Sequence, residues 1–104
     1  VTLQEIEEGG SKKPYLVLFY GPSCAPCASL KPKLRQACLD LEVDLHEISI
    51  LDDMDAVREL GIRTVPAVVL FKAASPPRVI FNGDLPHVRV TLIASGIPIP
   101  GLPA

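Results

Sequence analysis

The residues of this chain that could do redox, nucleophilic or soft-metal chemistry are three cysteines, Cys24, Cys27 and Cys38, and two histidines, His46 and His87. Two of the cysteines form the run Cys24-Ala-Pro-Cys27. Exchange between thiols and disulfides needs a thiolate, and a free cysteine at its ordinary pKa of ~8.5 is mostly protonated at neutral pH. Cys24 stands at the mouth of a helix expected from about Ala25, where unpaired backbone N–H groups and the helix dipole favour an anion. Cys27 falls in the first turn, so its sulfur can reach Cys24 and close a small ring. Pro26 costs no needed N–H there and stiffens the ring. The spacing makes Cys24 the exposed attacking sulfur and Cys27 the protected one that resolves the mixed disulfide.

A Cys-x-x-Cys pair can also be half of a zinc site. Zinc needs a second pair of ligands, and Cys38, His46 and His87 do not have that spacing. No metal site is expected. Cys38 continues the core spacing of Leu30 and Leu34, and cysteine is among the most buried residue types. It reads as core filler, since a regulatory or dimer-forming thiol requires exposure. His46 and His87 are expected on the surface.

The elements around the pair follow from hydrophobic pattern and punctuation. Thr2-Leu-Gln-Glu5 predicts a capped short helix ended by Gly9-Gly10. Tyr15 to Tyr20 is a continuous apolar run, expected of a strand buried on both faces. Gly21-Pro22 ends it, and a helix is predicted from about Ala25 to Leu41. Val43 to Ile50 predicts a second strand, and Asp52-Asp53 the cap of a short helix through Leu60, closed by Gly61. Ala67 to Phe71 and Arg78 to Phe81 predict an antiparallel hairpin across Ser75-Pro76-Pro77. Asp84 is read as the cap of a last helix from about Leu85 to Ser95, although β-branched residues weaken it. The proline-rich stretch 97–104 cannot be helical and reads as an extended tail after a domain spanning 1–96. The sum is an α/β domain, a mixed sheet of about four strands flanked by helices.

Composition narrows the function. A chain of 104 residues is one domain, and 48% hydrophobic content makes it a packed globule. A net charge of −2 with mixed signs disfavours nucleic acid and anionic membrane surfaces as partners. No apolar run approaches the ~18–20 residues that span a bilayer. The opening residues carry no basic region and no apolar signal core, so a reducing, cytoplasmic setting is expected. The chain opens on Val1 rather than Met, which leaves room for preceding residues.

The stretch Phe19-Tyr-Gly-Pro-Ser-Cys24-Ala-Pro-Cys27-Ala-Ser-Leu-Lys-Pro32 resembles the active-site strand, loop and helix of the thioredoxin family. Gly61-Ile-Arg-Thr-Val-Pro66 resembles that family's loop before its cis-proline, and Asn82-Gly83 the end of its last strand. The similarity covers roughly Tyr15 to Ser95. It implies a thioredoxin fold and a disulfide reductase acting on proteins, with a redox-active Cys24–Cys27 disulfide and no other cofactor. It further implies a cis Pro66 and a Val65 backbone that binds an extended substrate chain beside Cys24. Pro22, Ala25 and Pro26 are read as substrate-binding with them. Electrons are expected from thioredoxin reductase or from glutathione, and the protein is expected to be a monomer. A glutaredoxin-like enzyme is the alternative, on the strength of Thr64-Val-Pro66 and Gly83-Asp84-Leu85. A non-catalytic binding module is the other, and the intact cysteine pair speaks against it.

The chain departs from the family pattern in places that matter chemically. Ser23 stands where the family has a Trp, and Leu18 where it has a buried carboxylate that handles the second cysteine's proton. Glu47 stands where the family has the lysine facing that carboxylate, and the family's first edge strand has no counterpart. Two readings of Glu47 follow. Desolvation by Leu18 and Phe19 raises its pKa and makes it the general base for Cys27, or it is a solvated strand-end carboxylate and water serves instead.

Overall fold

The structure, a computed structural model, describes residues 2–9, 13–73 and 75–101. Gly10, the last residues of the 97–104 tail and Val1 lie outside them. Helix α1 (Leu3–Glu8) is capped by Thr2, whose side chain accepts the Glu5 N–H at 3.3 Å. Strand β1 (Tyr15–Tyr20) leads into helix α2 (Ala25–Asp40). Strand β2 (Asp44–Ser49), helix α3 (Met54–Glu59), strands β3 (Ala67–Phe71) and β4 (Arg78–Asn82) and helix α4 (Val88–Ala94) complete the order.

The four strands form one mixed sheet in the order β2-β1-β3-β4. β1 runs parallel to β2 and antiparallel to β3, and β3–β4 is the expected hairpin. The pleat sorts β1 onto two faces. Leu16 and Leu18 join Leu30 and Leu34 of α2 and Leu92 of α4 on one side. Val17 and Phe19 join Ile6 of α1 and Ala56 of α3 on the other. Leu16, Val17, Leu18 and Phe19 are all fully buried, at 0% exposure. At ~1.5–3 kcal/mol for each large apolar side chain buried, this strand fixes where the following loop emerges.

The differences from the sequence reading are local. β2 is shorter by one residue at each end than Val43 to Ile50. α4 begins at Val88 and not near Leu85, and its N-cap is His87 with no side-chain cap bond. Pro86 disfavours helical backbone at Leu85, and the Asp84 carboxylate is engaged elsewhere, by Ser29 and Lys33. The β-branched residues of α4 remain helical because Val88 and Leu92, four apart, are buried against the core. Ile97, the first residue of the proline-rich stretch, is buried at 2% exposure and its N–H donates to the Leu92 carbonyl at 3.1 Å. His46 is half-buried, its ring edge against Tyr15 at 5.5 Å, whereas His87 is exposed as expected. No helix among the described residues is long and apolar enough to cross a membrane.

Asp53 joins two helices. Its Oδ1 accepts the Ala56 N–H at 3.1 Å as the cap of α3, and its Oδ2 accepts the Leu3 N–H at 2.8 Å at the start of α1. Asp53→Ala removes both acceptors and is expected to destabilise the protein by about 1–2 kcal/mol in urea denaturation followed by circular dichroism. Asp53→Asn, which keeps an acceptor oxygen, is expected to lose less.

Candidate active site

The site is built where the buried strand β1 hands over to α2. Gly21 to Cys24 make the turn, with Ser23 in the left-handed region at φ 52°. Cys24 is the N-cap of α2, and its sulfur accepts the Cys27 N–H at 3.2 Å. A cap position is where serine, aspartate and asparagine usually bring an oxygen to an orphan N–H. Here sulfur takes that place, so the helix terminus stabilises negative charge on Cys24. Pro26 occupies the first turn, where its missing N–H is not needed.

Cys24 and Cys27 are joined in a disulfide, their Cα atoms 5.2 Å apart. Cys24 is half-buried while Cys27 is only 2% exposed. Pro22, Ala25 and Pro26 are exposed around them. One sulfur therefore faces incoming reagents and the other lies behind it. The side of α2 next to the pair carries Lys31, whose Nζ sits 3.6 Å from the Tyr20 ring centroid.

The segment 64–66 closes the other side. The Val65–Pro66 peptide bond is cis, as the resemblance implies. The Val65 carbonyl oxygen lies 3.9 Å from the Cys24 sulfur, which in the disulfide has no proton to donate to it. Pro66 is buried and Val65 half-buried. Gly21 permits this approach, since a Cβ there would come within 3.2 Å of Val65 Cγ2. The Pro66 carbonyl accepts the Gly83 N–H at 2.8 Å, and the Asn82 amide donates to the carbonyl and hydroxyl oxygens of Thr64, each at 3.4 Å.

Glu47 does not have the environment expected of a general base. Arg35 of α2 holds it in a two-pronged ion pair, Nε to Oε2 and Nη2 to Oε1, both at 2.7 Å. Those hydrogen bonds, together with the positive charges of Arg35 and Lys31, outweigh desolvation and keep its pKa below the ordinary glutamate value. Of the two readings of Glu47, the one that raises its pKa is thus corrected to a fall. Leu18, its neighbour in register on β1, supplies the apolar surroundings foreseen, but the guanidinium decides the sign.

Cys38 is core filler. It is 4% exposed, and burial, with a smaller contribution from the Glu47 charge, pushes its thiol up to about 12. The sequence reading missed Asp84 as a site-side residue. Its carboxylate accepts Ser29 Oγ at 2.8 Å and Lys33 Nζ at 2.7 Å, and these bonds lower its pKa. The signal was present: Ser29 and Lys33 are four apart on α2 and so share a face. What they face is a matter of tertiary structure.

The Thioredoxin family model matches residues 3–91. A thioredoxin of Rickettsia bellii is 36% identical over 96 residues, covering 88% of this chain and 83% of that protein. NADPH-dependent thioredoxin reductase 3 of Arabidopsis thaliana is 38% identical over 64 residues, covering 60% of this chain, which spans only 12% of that protein. Among solved structures, chloroplastic thioredoxin z superposes with a TM-score of 0.75 at 22% identity, covering 93% of this chain and 90% of its own, which supports the fold. With the family match across most of its length and the disulfide at the mouth of α2, the chain belongs to the thioredoxin family of thiol–disulfide oxidoreductases.

Proposed function

We propose that the chain reduces disulfides of protein substrates, with Cys24 as the attacking sulfur and Cys27 as the resolving one. One observation carries the assignment: Cys24 is accessible and caps the helix with its sulfur, while Cys27 is 2% exposed behind it. In the dithiol form the Cys24 thiolate attacks a substrate sulfur, forming a mixed disulfide and releasing one substrate thiolate. Cys27 then gives its proton to water, and its thiolate attacks Cys24 Sγ. The Cys24–Cys27 disulfide forms, the second substrate thiolate leaves, and two electrons have passed to the substrate. An extended substrate chain lies against the Val65 backbone, between segment 64–66 and the exposed Pro22, Ala25 and Pro26.

The oxidised pair must be reduced for another turn. The likeness to part of a NADPH-dependent thioredoxin reductase supports a reductase as the electron donor. The glutathione alternative drew on Gly83-Asp84-Leu85, and there the Asp84 carboxylate is already engaged by Ser29 and Lys33. A reducing compartment such as the cytoplasm suits a protein that must return to the dithiol. Insulin-disulfide reduction, run with thioredoxin reductase and NADPH and separately with glutathione and its reductase, tests the reading. Turnover is expected with the first system, and turnover with the second alone overturns it.

Cys24→Ser is expected to abolish trapping of substrate, and Cys27→Ser to accumulate a mixed disulfide on Cys24, both read by mass spectrometry. An adduct confined to Cys27 reverses the assignment. Because Arg35 occupies Glu47, water is the proton acceptor for Cys27. The pH profile of mixed-disulfide resolution in Glu47→Gln is accordingly expected to overlay that of the wild type.

Stability is where Glu47 shows. Its folded pKa is lowered, so its contribution is full above the unfolded value of ~4.3 and is lost as pH falls through the folded one. Glu47→Gln is expected to cost about 0.5–1 kcal/mol at pH 7. The gap to wild type should close in acid, as measured by urea denaturation across pH.

A further inference from the structure

Residues 82–85 connect the nucleophile-bearing helix to the segment that faces the nucleophile. On one side the Asp84 carboxylate accepts Ser29 Oγ at 2.8 Å and Lys33 Nζ at 2.7 Å, and Lys33 Nζ also donates to the Leu85 carbonyl at 3.3 Å. On the other side the Gly83 N–H donates to the Pro66 carbonyl at 2.8 Å, and Asn82 Nδ2 reaches Thr64 at 3.4 Å. Gly83 has φ 82°, so the chain turns sharply between the two sets of bonds. Ser29 and Lys33 lie two and six residues beyond Cys27 on the same rigid helix that Cys24 caps.

We propose that Asp84 is a positioning residue for substrate docking, holding segment 82–85 on α2 so that Gly83 and Asn82 fix the Val65 backbone at its distance from Cys24. The proposal rests on the disulfide-exchange reading of the site. Its physical basis is directional: the half-buried Leu85 packs non-specifically against the core that includes Leu30 and Leu34 of α2, and the Asp84 carboxylate adds oriented bonds to Ser29 and Lys33 of the same helix. Two side-chain bonds to one carboxylate set the register; the ionised acceptor makes both charge-assisted, and the one from Lys33 is an ion pair as well. Val65 meets the cap of α2 through its carbonyl oxygen, 3.9 Å from the Cys24 sulfur. Its backbone is placed by its neighbours Thr64 and Pro66, which residues 82 and 83 hold. Loosening the anchor leaves the sulfur chemistry untouched and widens the distribution of Val65 positions. An extended peptide that must hydrogen-bond that backbone feels the change. A small disulfide that only meets Cys24 does not.

The test compares wild type, Asp84→Ala, Lys33→Met and Asp84→Asn, with Asp55→Ala, which removes an exposed ion pair on α3, as the control. Asp84 and Lys33 are partly exposed, at 34% and 38% of their side-chain surface, so the variants are expected to fold. Three quantities are read: amide hydrogen exchange at Gly83, KM and kcat for an extended peptide disulfide, and the rate with bis(2-hydroxyethyl) disulfide. Asp84→Ala and Lys33→Met are expected to speed Gly83 exchange several-fold and raise the peptide KM about three- to tenfold. The small-disulfide rate and the peptide kcat should hold within twofold. Asp84→Asn, which can still accept Ser29 Oγ, should fall between, and Asp55→Ala should match wild type. Gly83 exchange needs no turnover, so it separates failure of the anchor from failure of the disulfide-exchange reading. Unchanged exchange overturns the anchor whatever the activity. Faster exchange with an unchanged peptide KM, or with both substrates slowed alike, overturns the docking role.

Discussion

A sulfur atom in a position usually held by oxygen organises this molecule. Cys24 Sγ accepts the Cys27 N–H at 3.2 Å and thereby begins α2. The same contact satisfies an orphan donor of the helix and places the sulfur where the helix terminus favours the thiolate. For that to work, the backbone must arrive at Cys24 in one place and direction. Strand β1, fully buried from Leu16 to Phe19, delivers it, and the Gly21–Cys24 turn, with Ser23 at φ 52°, aims it. Structural capping and chemical activation are one interaction seen from two sides.

Helix α2 is also the element from which three ion pairs radiate. Lys33 pairs with Asp84, Arg35 with Glu47 and Asp40 with Arg89, whereas the Arg58–Asp55 pair lies on α3. Each is a surface or half-buried pair, and such pairs contribute ~0–1 kcal/mol singly. Their effect is orientational. They tie the helix that carries both cysteines to β2 on one side and to the β4–α4 segment and α4 on the other. The buried apolar face of Leu30 and Leu34 supplies the energy of attachment.

Two departures from the family pattern acquire a common meaning in this frame. With Leu18 in place of a buried acid, no carboxylate on β1 faces the site, and the core beneath it is apolar. With Glu47 in place of a lysine, charge balance on that flank is restored by Arg35 from α2. The flank stays charged, but its charges neutralise each other, and the sulfur pair is left to solvent and to the helix terminus. Ser23 places a small polar side chain on the rim beside Cys24, where Tyr20 is the aromatic neighbour.

The sequence determined the Cys24–Cys27 pair, the helix that starts at it and the apolar strand that feeds it, because these rest on spacing and pattern within a few residues. Cys-x-x-Cys with Pro26, the run Tyr15 to Tyr20, the Asp53 cap and the 67–81 hairpin are local signals with local causes. Cys38 was legible as core for the same reason, from its spacing with Leu30 and Leu34. Partners distant in the chain were not legible. Asp84 looked like a helix cap because capping chemistry can be read along the chain, whereas Ser29 and Lys33 lie 55 and 51 residues away. Glu47 admitted two readings, a desolvated base or a solvated strand-end carboxylate, and only the fold shows Arg35 reaching across from α2. Ile97 looked like the start of a loose tail, and it is the packing of α4 against α2 that leaves it in the core. A residue's type and its near neighbours say what it can do, but the sign of a charge interaction and the identity of a distant partner depend on which surfaces the core brings together.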